Sequence, residues 1–435
     1  MAKPNAYKPP FLWVPSSFFA MGTVYTVVTT AANIMFANLG LTVAQATFYS
    51  SMTAFVYTFN PVWAPLLELY RTKKFFVIVA QLVLAVVLCA IGGALSLRAF
   101  VVPVVALLMV GALAGATQDI VANGVYVTTL DARRQAAFTG VQSMSWSIGP
   151  ILASSFLVML VGRLAGETGG ASKPSAQAYG GAWFSVFVGL GIMMTVLAAW
   201  HMAVLPSGSK AEDAPKTFGD IVTTFGKVFV TFFQKRDILK LMGFAFFYRF
   251  GLGLLDKVAP LFVLDSREHG GLGLDNGKLG LLNGIATAAF IGGSVLGGWF
   301  VSRRGLRRSL LILCLCLNVP NITFLYLGWA RPQSMVVIGL IFLIEKLGWG
   351  FGAVGHMLYM MQQIAPGPFK TAHYAFATGL GLSLCMALTG LVSGWIESRV
   401  GYPAFFVLAL LATAPSIVFT RIAPFHYSDG SNAPA

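Results

Sequence analysis

About twelve apolar runs of membrane length govern what this chain can fold into. They lie near 11–36, 43–67, 75–97, 99–127, 138–162, 182–204, 239–264, 277–301, 309–328, 335–364, 372–396 and 402–423. A helix crosses the hydrocarbon core of a bilayer with about 20 residues, or about 17–25 when tilt is allowed. In that core every backbone N–H and C=O must be bonded within the segment, so runs of this length become helices. Only 10% of the residues are charged, against about 25% in a soluble domain. The pattern predicts an all-α, polytopic membrane protein whose tails and loops are mostly too short to bury a core of their own.

The formal net charge of +14 invites a nucleic-acid partner, but its distribution argues against one. With both termini cytoplasmic, 19 of the 29 Lys and Arg fall on the cytoplasmic side, seven outside and three within spans. This is the positive-inside asymmetry, and it assigns the surplus to topology. The first run is too long for a signal-peptide core and has no obvious small-residue cleavage site, so it is read as a span. Cys89, Cys314, Cys316 and Cys385 all lie inside apolar runs, where cysteine serves mainly as a small packing residue and implies no disulfide framework.

The longest polar interruption divides the spans six and six. The reading is an N-terminal bundle over 1–205, a cytoplasmic linker over 206–238 and a C-terminal bundle with a short tail over 239–435. Phe218, Ile221, Val222, Phe225, Val228 and Phe229 in the linker have the spacing of an interfacial amphipathic helix. The segment from Glu167 to Tyr179, rich in Gly, Ser and Ala, reads as a flexible outer loop. The halves echo each other. After the second span comes Trp63-Ala64-Pro65-Leu66-Leu67-Glu68-Leu69-Tyr70-Arg71, and after the eighth comes Gly298 to Arg308, with Arg303, Arg304, Gly305 and Arg307. The latter resembles the loop motif of the major facilitator superfamily, with Ser302 where that motif has Asp. Glu68, Arg71 and these basic residues are the candidate gate loops, the bland alternative being an ordinary basic turn.

Charges inside apolar runs are costly, at least ~2.5–3.5 kcal/mol each on insertion scales, and usually face water or a partner. Asp119, Arg249, Asp256, Lys257, Glu345 and Lys346 are such charges. Asp119, Asn123 and Tyr126 share one face of the fourth span, where a partly buried carboxylate can exchange protons. A structural pair with a neighbouring cation is the alternative. Arg249 and Asp256 share a face of the seventh span about two turns apart, too far for a tight direct pair. Arg presents a planar fork suited to a carboxylate or phosphate, so an anionic guest is its natural ligand, with Tyr248 beside it. Asp256-Lys257 reads as near the outer interface, where Lys can snorkel. In the tenth span Glu345, Trp349, Gly352 and His356 form one stripe, with Glu345 about 15 Å from the outer end at 1.5 Å per residue. Glu345 and His356 are therefore proton candidates, and a buried salt bridge from Glu345 to Arg249 is the main competitor. Tyr25 and Asn33, in a first span also carrying Thr23, Thr26, Thr29 and Thr30, can hydrogen-bond a polar solute or merely a neighbouring helix, and Gln118 joins the candidate lining.

The order of Trp63-Ala64-Pro65-Leu66, Thr117-Gln118-Asp119-Ile120, Tyr248-Arg249-Phe250-Gly251, Asp265-Ser266-Arg267-Glu268, Glu345 with Gly348, Gly350 and Gly352, Lys370-Thr371-Ala372-His373-Tyr374 and Gly394-Trp395 resembles the AmpG-like muropeptide permeases of the major facilitator superfamily. The resemblance spans nearly the whole chain. It implies two six-helix bundles, a cavity between spans one, four, seven and ten, and proton-driven import of cell-wall amino-sugar fragments. Three family acids are neutral here: Asn123, Leu252 and the Met21-Gly22 start of the first span. Coupling then rests on Asp119, Asp256 and Glu345, with Asp256 one turn beyond Leu252, or else the substrate and coupling differ.

No zinc spacing, nucleotide-phosphate loop or nucleophile elbow occurs in the sequence, which speaks against an enzyme or an ATP-driven pump. The expectation is a monomeric secondary transporter of the bacterial inner membrane with a small-molecule substrate, protons and lipid as its partners. It needs no cofactor or metal and binds no nucleic acid. A siderophore or oligosaccharide importer is the same-class alternative, and a transport-dead receptor or assembly factor the different-class one.

Overall fold

The computed structural model describes residues 8–64, 67, 72–168, 173–208 and 218–427. Ten of its helical stretches are long and apolar enough to cross a membrane. The last, Lys370–Ile422, has 53 residues, about 80 Å of helix and more than twice a bilayer core. Gly401, with φ 75° and ψ 163°, breaks it into two crossings. Val43–Thr58 with its continuation Asn60–Trp63 supplies a further crossing, which makes twelve.

In chain order, α1 is Pro10–Asn38 and α2 is Val43–Thr58 with that continuation. Helices α3 to α6 are Lys73–Ala94, Val101–Thr129, Ala132–Ala165 and Ala176–Val204. The linker carries α7, Phe218–Phe233. The second half holds α8 (Ile238–Leu264), α9 (Asn276–Arg304), α10 (Leu306–Ala330), α11 (Met335–Ile364), α12 (370–400) and α13 (402–422). Without a hydrophobic force between helices in lipid, close packing depends on small residues at the crossings. A Cβ on Gly22 of α1 would stand 2.1 Å from the Trp146 carbonyl oxygen of α5, and one on Gly350 of α11 only 2.0 Å from that of Phe290 in α9. Only glycine fits at either crossing.

The hydrogen bonds that join the halves among the described residues gather at the end of the molecule away from the chain termini. Lys257 Nζ donates to the Thr29 carbonyl at 2.7 Å, and Asn33 Nδ2 returns a bond to the Lys257 carbonyl at 2.8 Å. Ser155 Oγ donates to the Gly280 carbonyl (2.6 Å), and Asn283 Nδ2 to that of Ser154 (2.7 Å). Asn276 gives its backbone N–H and its side-chain amide to the Glu167 carboxylate at 2.9 and 2.8 Å. Along one flank α2 packs against α12, where Gly390 meets Ser51 and Gly394 meets Thr47.

Two local expectations change. Lys257 does not snorkel to an interface: it is buried, 7% exposed, and serves as a clamp between α8 and α1. The segment from Glu167 to Tyr179 is tied down at both described ends. Tyr179 donates to Glu167 at 2.5 Å and Lys173 donates to the Leu264 carbonyl, while 169–172 lie outside the described residues. The linker helix forms over Phe218–Phe233, burying Val228 and Phe232 and exposing Val222, Phe229 and Val230. Phe232 packs on His373 and Phe376 of α12, with ring centroids 5.5 Å apart in each case. Just beyond it, Asp237 begins α8, and its carboxyl is held below the usual range chiefly by a hydrogen bond from Lys240.

Candidate solute pathway

Two of the pathway helices are irregular where they matter. In α1 the turn Val27–Ala31 is π-helical, and such turns recur at functional sites. In α8 the helix breaks between Phe247 and Phe250, with Arg249 at φ −115°, ψ 19°. A break strands backbone carbonyls, and in a membrane these must find donors. Ser416 Oγ donates to Phe247 O at 2.7 Å, and Asn318 Nδ2 lies 3.5 Å from Tyr248 O. His356 Nε2 lies 2.9 Å from Ala245 O, a contact that places the ring proton on Nε2.

This accounting corrects the expectation for several residues. His356 is fully buried and stacks on Tyr248 (4.8 Å, 23°), so it braces the broken helix rather than facing the opening. Tyr248 is equally buried, its hydroxyl donated to Gly352 O at 3.0 Å. Asn33 belongs to the Lys257 clamp and also accepts from Ser50 Oγ at 3.2 Å. Gln118 is fully buried, and its amide makes no hydrogen bond. The Arg249–Glu345 pair does not form, and no carboxylate among the described residues lies within ion-pair distance of Arg249.

The remaining candidates lie on α1, α4, α8 and α11. Tyr25, midway along α1, is 37% exposed. It meets Tyr57 of α2 edge-on at 5.1 Å and Trp146 of α5 at 6.2 Å. The charges of Asp256, Arg249 and Asp119 all reach its hydroxyl. Arg249 is buried, its Nε without a hydrogen bond, and Tyr248, Cys385, Tyr25 and Tyr374 are its electrostatic neighbours. Asp119 is half-buried and accepts from Asn123 Nδ2 at 3.2 Å.

Higher along the pathway, Asp256 lies within electrostatic range of both Tyr25 and Glu345. The Glu345 side chain is 1% exposed, and its partner is Lys346, at 3.3 Å. The Lys346 ammonium also lies 3.8 Å from the Trp349 ring centre, and Phe290 meets Trp349 edge-on at 5.7 Å.

At the end that carries the termini, Arg303, Arg304 and Arg307 rest over Trp299, Phe300 and Phe425, and Gly305 makes its turn at φ 75°. Glu68 and Arg71 lie outside the described residues. Sequence reasoning missed Tyr57 and Trp146, for which no signal distinguishes a lining aromatic from a packed one, and it read Tyr374 with His373 as a gate or interface residue. It counted Lys346 among the intramembrane charges but gave it no role.

The assembled lining offers Arg249 and Lys346 to an anion, and Asp119, Asp256 and Glu345 to protons. Tyr25, Tyr57, Trp146 and Trp349 offer flat faces to a ring. No group of three or more His, Cys, Asp or Glu among the described residues is arranged to hold a metal.

A family model for the Major Facilitator Superfamily matches residues 14–384. The chain belongs to the major facilitator superfamily. Similar proteins include the anhydromuropeptide permease of Escherichia coli K12, 22% identical over 389 residues that cover 86% of this chain and 72% of that protein. The putative transporter AmpG 4 of Rickettsia conorii is 20% identical over 375 residues, 83% of this chain and 84% of that one. Among solved structures, the nucleoside transporter NupG matches with TM-score 0.68 at 14% identity, over 95% of this chain and 97% of that one. The D-xylose-proton symporter matches with TM-score 0.69 at 13% identity, over 98% of each. These likenesses establish the fold, two six-helix bundles, and a multi-pass membrane transporter is the class they support.

Proposed function

We propose that this superfamily member is a monomeric secondary active transporter that imports an amino-sugar or muropeptide-like solute with protons across the bacterial inner membrane. Its halves, 1–205 and 239–435, rock about a central site while 206–238 links them. The observation that carries the reading is that Arg249, Asp119 and Asp256, charges on α8 and α4, all lie within electrostatic range of the partly exposed Tyr25 of α1. With both termini cytoplasmic, as the basic loops argue, the bonded end is periplasmic. Arg249 engages an anionic group of the solute, the aromatic faces hold its rings, and Glu345, with Asp119 and Asp256, carries protons. The name of the E. coli relative, an anhydromuropeptide permease, supports the solute class.

The test is uptake of anhydromuropeptide into proteoliposomes with and without an inward pH gradient. Accumulation above the bath level is expected only with the gradient, and Glu345→Gln should equilibrate the solute without concentrating it. Gradient-driven accumulation by Glu345→Gln at the wild-type level removes Glu345 from the proton role. A neutral oligosaccharide is the second reading, favoured by four aromatic faces in the lining, and it predicts uptake indifferent to Arg249→Gln.

A further inference from the structure

Neighbouring residues on a helix point about 100° apart and do not normally pair. Lys346 nevertheless turns its flexible stem back on Glu345, Nζ lying 3.3 Å from Oε2 and 3.5 Å from Oε1. Both distances exceed the about 2.7–2.9 Å of a well-made ammonium–carboxylate bond, and Oε2 is left without a hydrogen bond. The grip is loose. The two partners also differ in access: Glu345 is sealed, whereas 21% of the Lys346 side chain is exposed. The ammonium rests on the face of Trp349, whose indole N–H is buried and unbonded. The charges that reach Glu345 are Lys346 on its own helix and Asp256 from α8, and Asp256 only repels a second negative charge.

From this geometry we infer that Lys346 is an exchangeable counter-ion, which a carboxylate on the transported solute takes from Glu345, leaving Glu345 to take up a proton. The inference rests on the transport reading and specifies how solute and proton are linked. Before exchange the pocket holds one ammonium and one carboxylate. Afterwards it holds the ammonium, the solute carboxylate and a neutral Glu345 acid. Net charge is zero in both states. An anion reaching Lys346 without its proton would leave two carboxylates on one ammonium in a water-poor interior, where burying charge is most costly. Anion and proton therefore load together, one proton per carboxylate, the proton coming from the water on the loading side. When the solute leaves on the other side, Lys346 returns to Glu345 and the proton is released there.

The experiment is infrared difference spectroscopy on the purified full chain at neutral pH, with Glu345→Gln identifying the Glu345 band. The probes are anhydro-N-acetylmuramic acid and its uncharged methyl ester. Wild type and Lys346→Arg should show Glu345 ionised, and Lys346→Gln should show it protonated. Adding the acid to wild type should produce the protonated band, and adding the ester should not. Lys346→Gln should weaken binding of the acid relative to the ester by at least about tenfold. An ionised Glu345 in Lys346→Gln, or identical responses to acid and ester, overturns the exchange. Failure of both probes to bind wild type sinks the muropeptide reading instead, and the state of Glu345 in Lys346→Gln then decides the exchange by itself.

Discussion

A buried ammonium survives only where acceptors replace its water, and Lys257 finds one because the π-helical turn of α1 leaves the Thr29 carbonyl available. Lys257→Met removes the donor and leaves the Thr29 carbonyl a buried, unsatisfied acceptor, a loss of roughly 1–3 kcal/mol. The melting temperature should therefore fall by several degrees, and the contact between α1 and α8 should loosen. The readout is labelling of Ser50→Cys, fully buried behind the clamp, by a membrane-impermeant maleimide, in a background with the four native cysteines replaced by alanine. Labelling should rise several-fold, and an unchanged rate would show that Lys257 does not hold the halves. The same residue shows what sequence can and cannot reveal. That position 257 carries a charge inside a span was plain, but its partner is a backbone carbonyl 228 residues away, which no side-chain pattern announces. Glu345 fails in the opposite direction, its partner being the adjacent residue, which helical geometry ordinarily excludes. The neutral Leu252 is clearer in the structure than in the sequence. It is buried in an apolar cluster, whereas Asp256 one turn on is half-buried and within range of Tyr25 and Glu345.

At the scale of elements, the twelve crossings were legible because hydropathy summed over some twenty residues outweighs any local irregularity. The irregularities themselves were not. The π turns at Val27–Ala31, Ile151–Phe156, Met360–Ile364 and Thr378–Ser383 carry no common residue signature, and α8 breaks at Tyr248–Arg249 without a proline. The break persists because His356, Asn318 and Ser416 reach its stranded carbonyls from three other helices. His356→Phe keeps the stacking on Tyr248 but abandons the Ala245 carbonyl, a loss of roughly 1–3 kcal/mol for an unsatisfied buried acceptor. The melting temperature should fall by several degrees while the pH dependence of uptake keeps its wild-type midpoint. A displaced midpoint would return His356 to the proton path and contradict its role as a brace.

For the whole molecule, the proposed alternating access requires that bonds between the halves at one end break as the other end closes, so a latch there must be modest. Glu167 is the most concentrated part of it. Its carboxylate takes the Tyr179 hydroxyl from its own half and two donors of Asn276 from the other. Hydrogen bonds to a charged group contribute about 1.5–3 kcal/mol when buried, and less at a residue that is partly exposed, as Glu167 is. Glu167→Ala removes both bonds that cross between the halves and should cost the closed end about 1–3 kcal/mol in total. At about 1.4 kcal/mol per decade, the ratio of open to closed states at that end shifts roughly ten- to a hundredfold. Spin labels at Leu97→Cys and Trp329→Cys, exposed at that end on opposite halves, report the change as a longer component in the distance distribution. Asn276→Ala removes the side-chain half of the same contact and should lengthen the distances less. The double variant should add little beyond Glu167→Ala, because residues in one network are not additive. If the distribution of Glu167→Ala matches wild type, the latch lies elsewhere, and the Lys257–Thr29 clamp and the Ser155–Gly280 seam are left to hold the end closed.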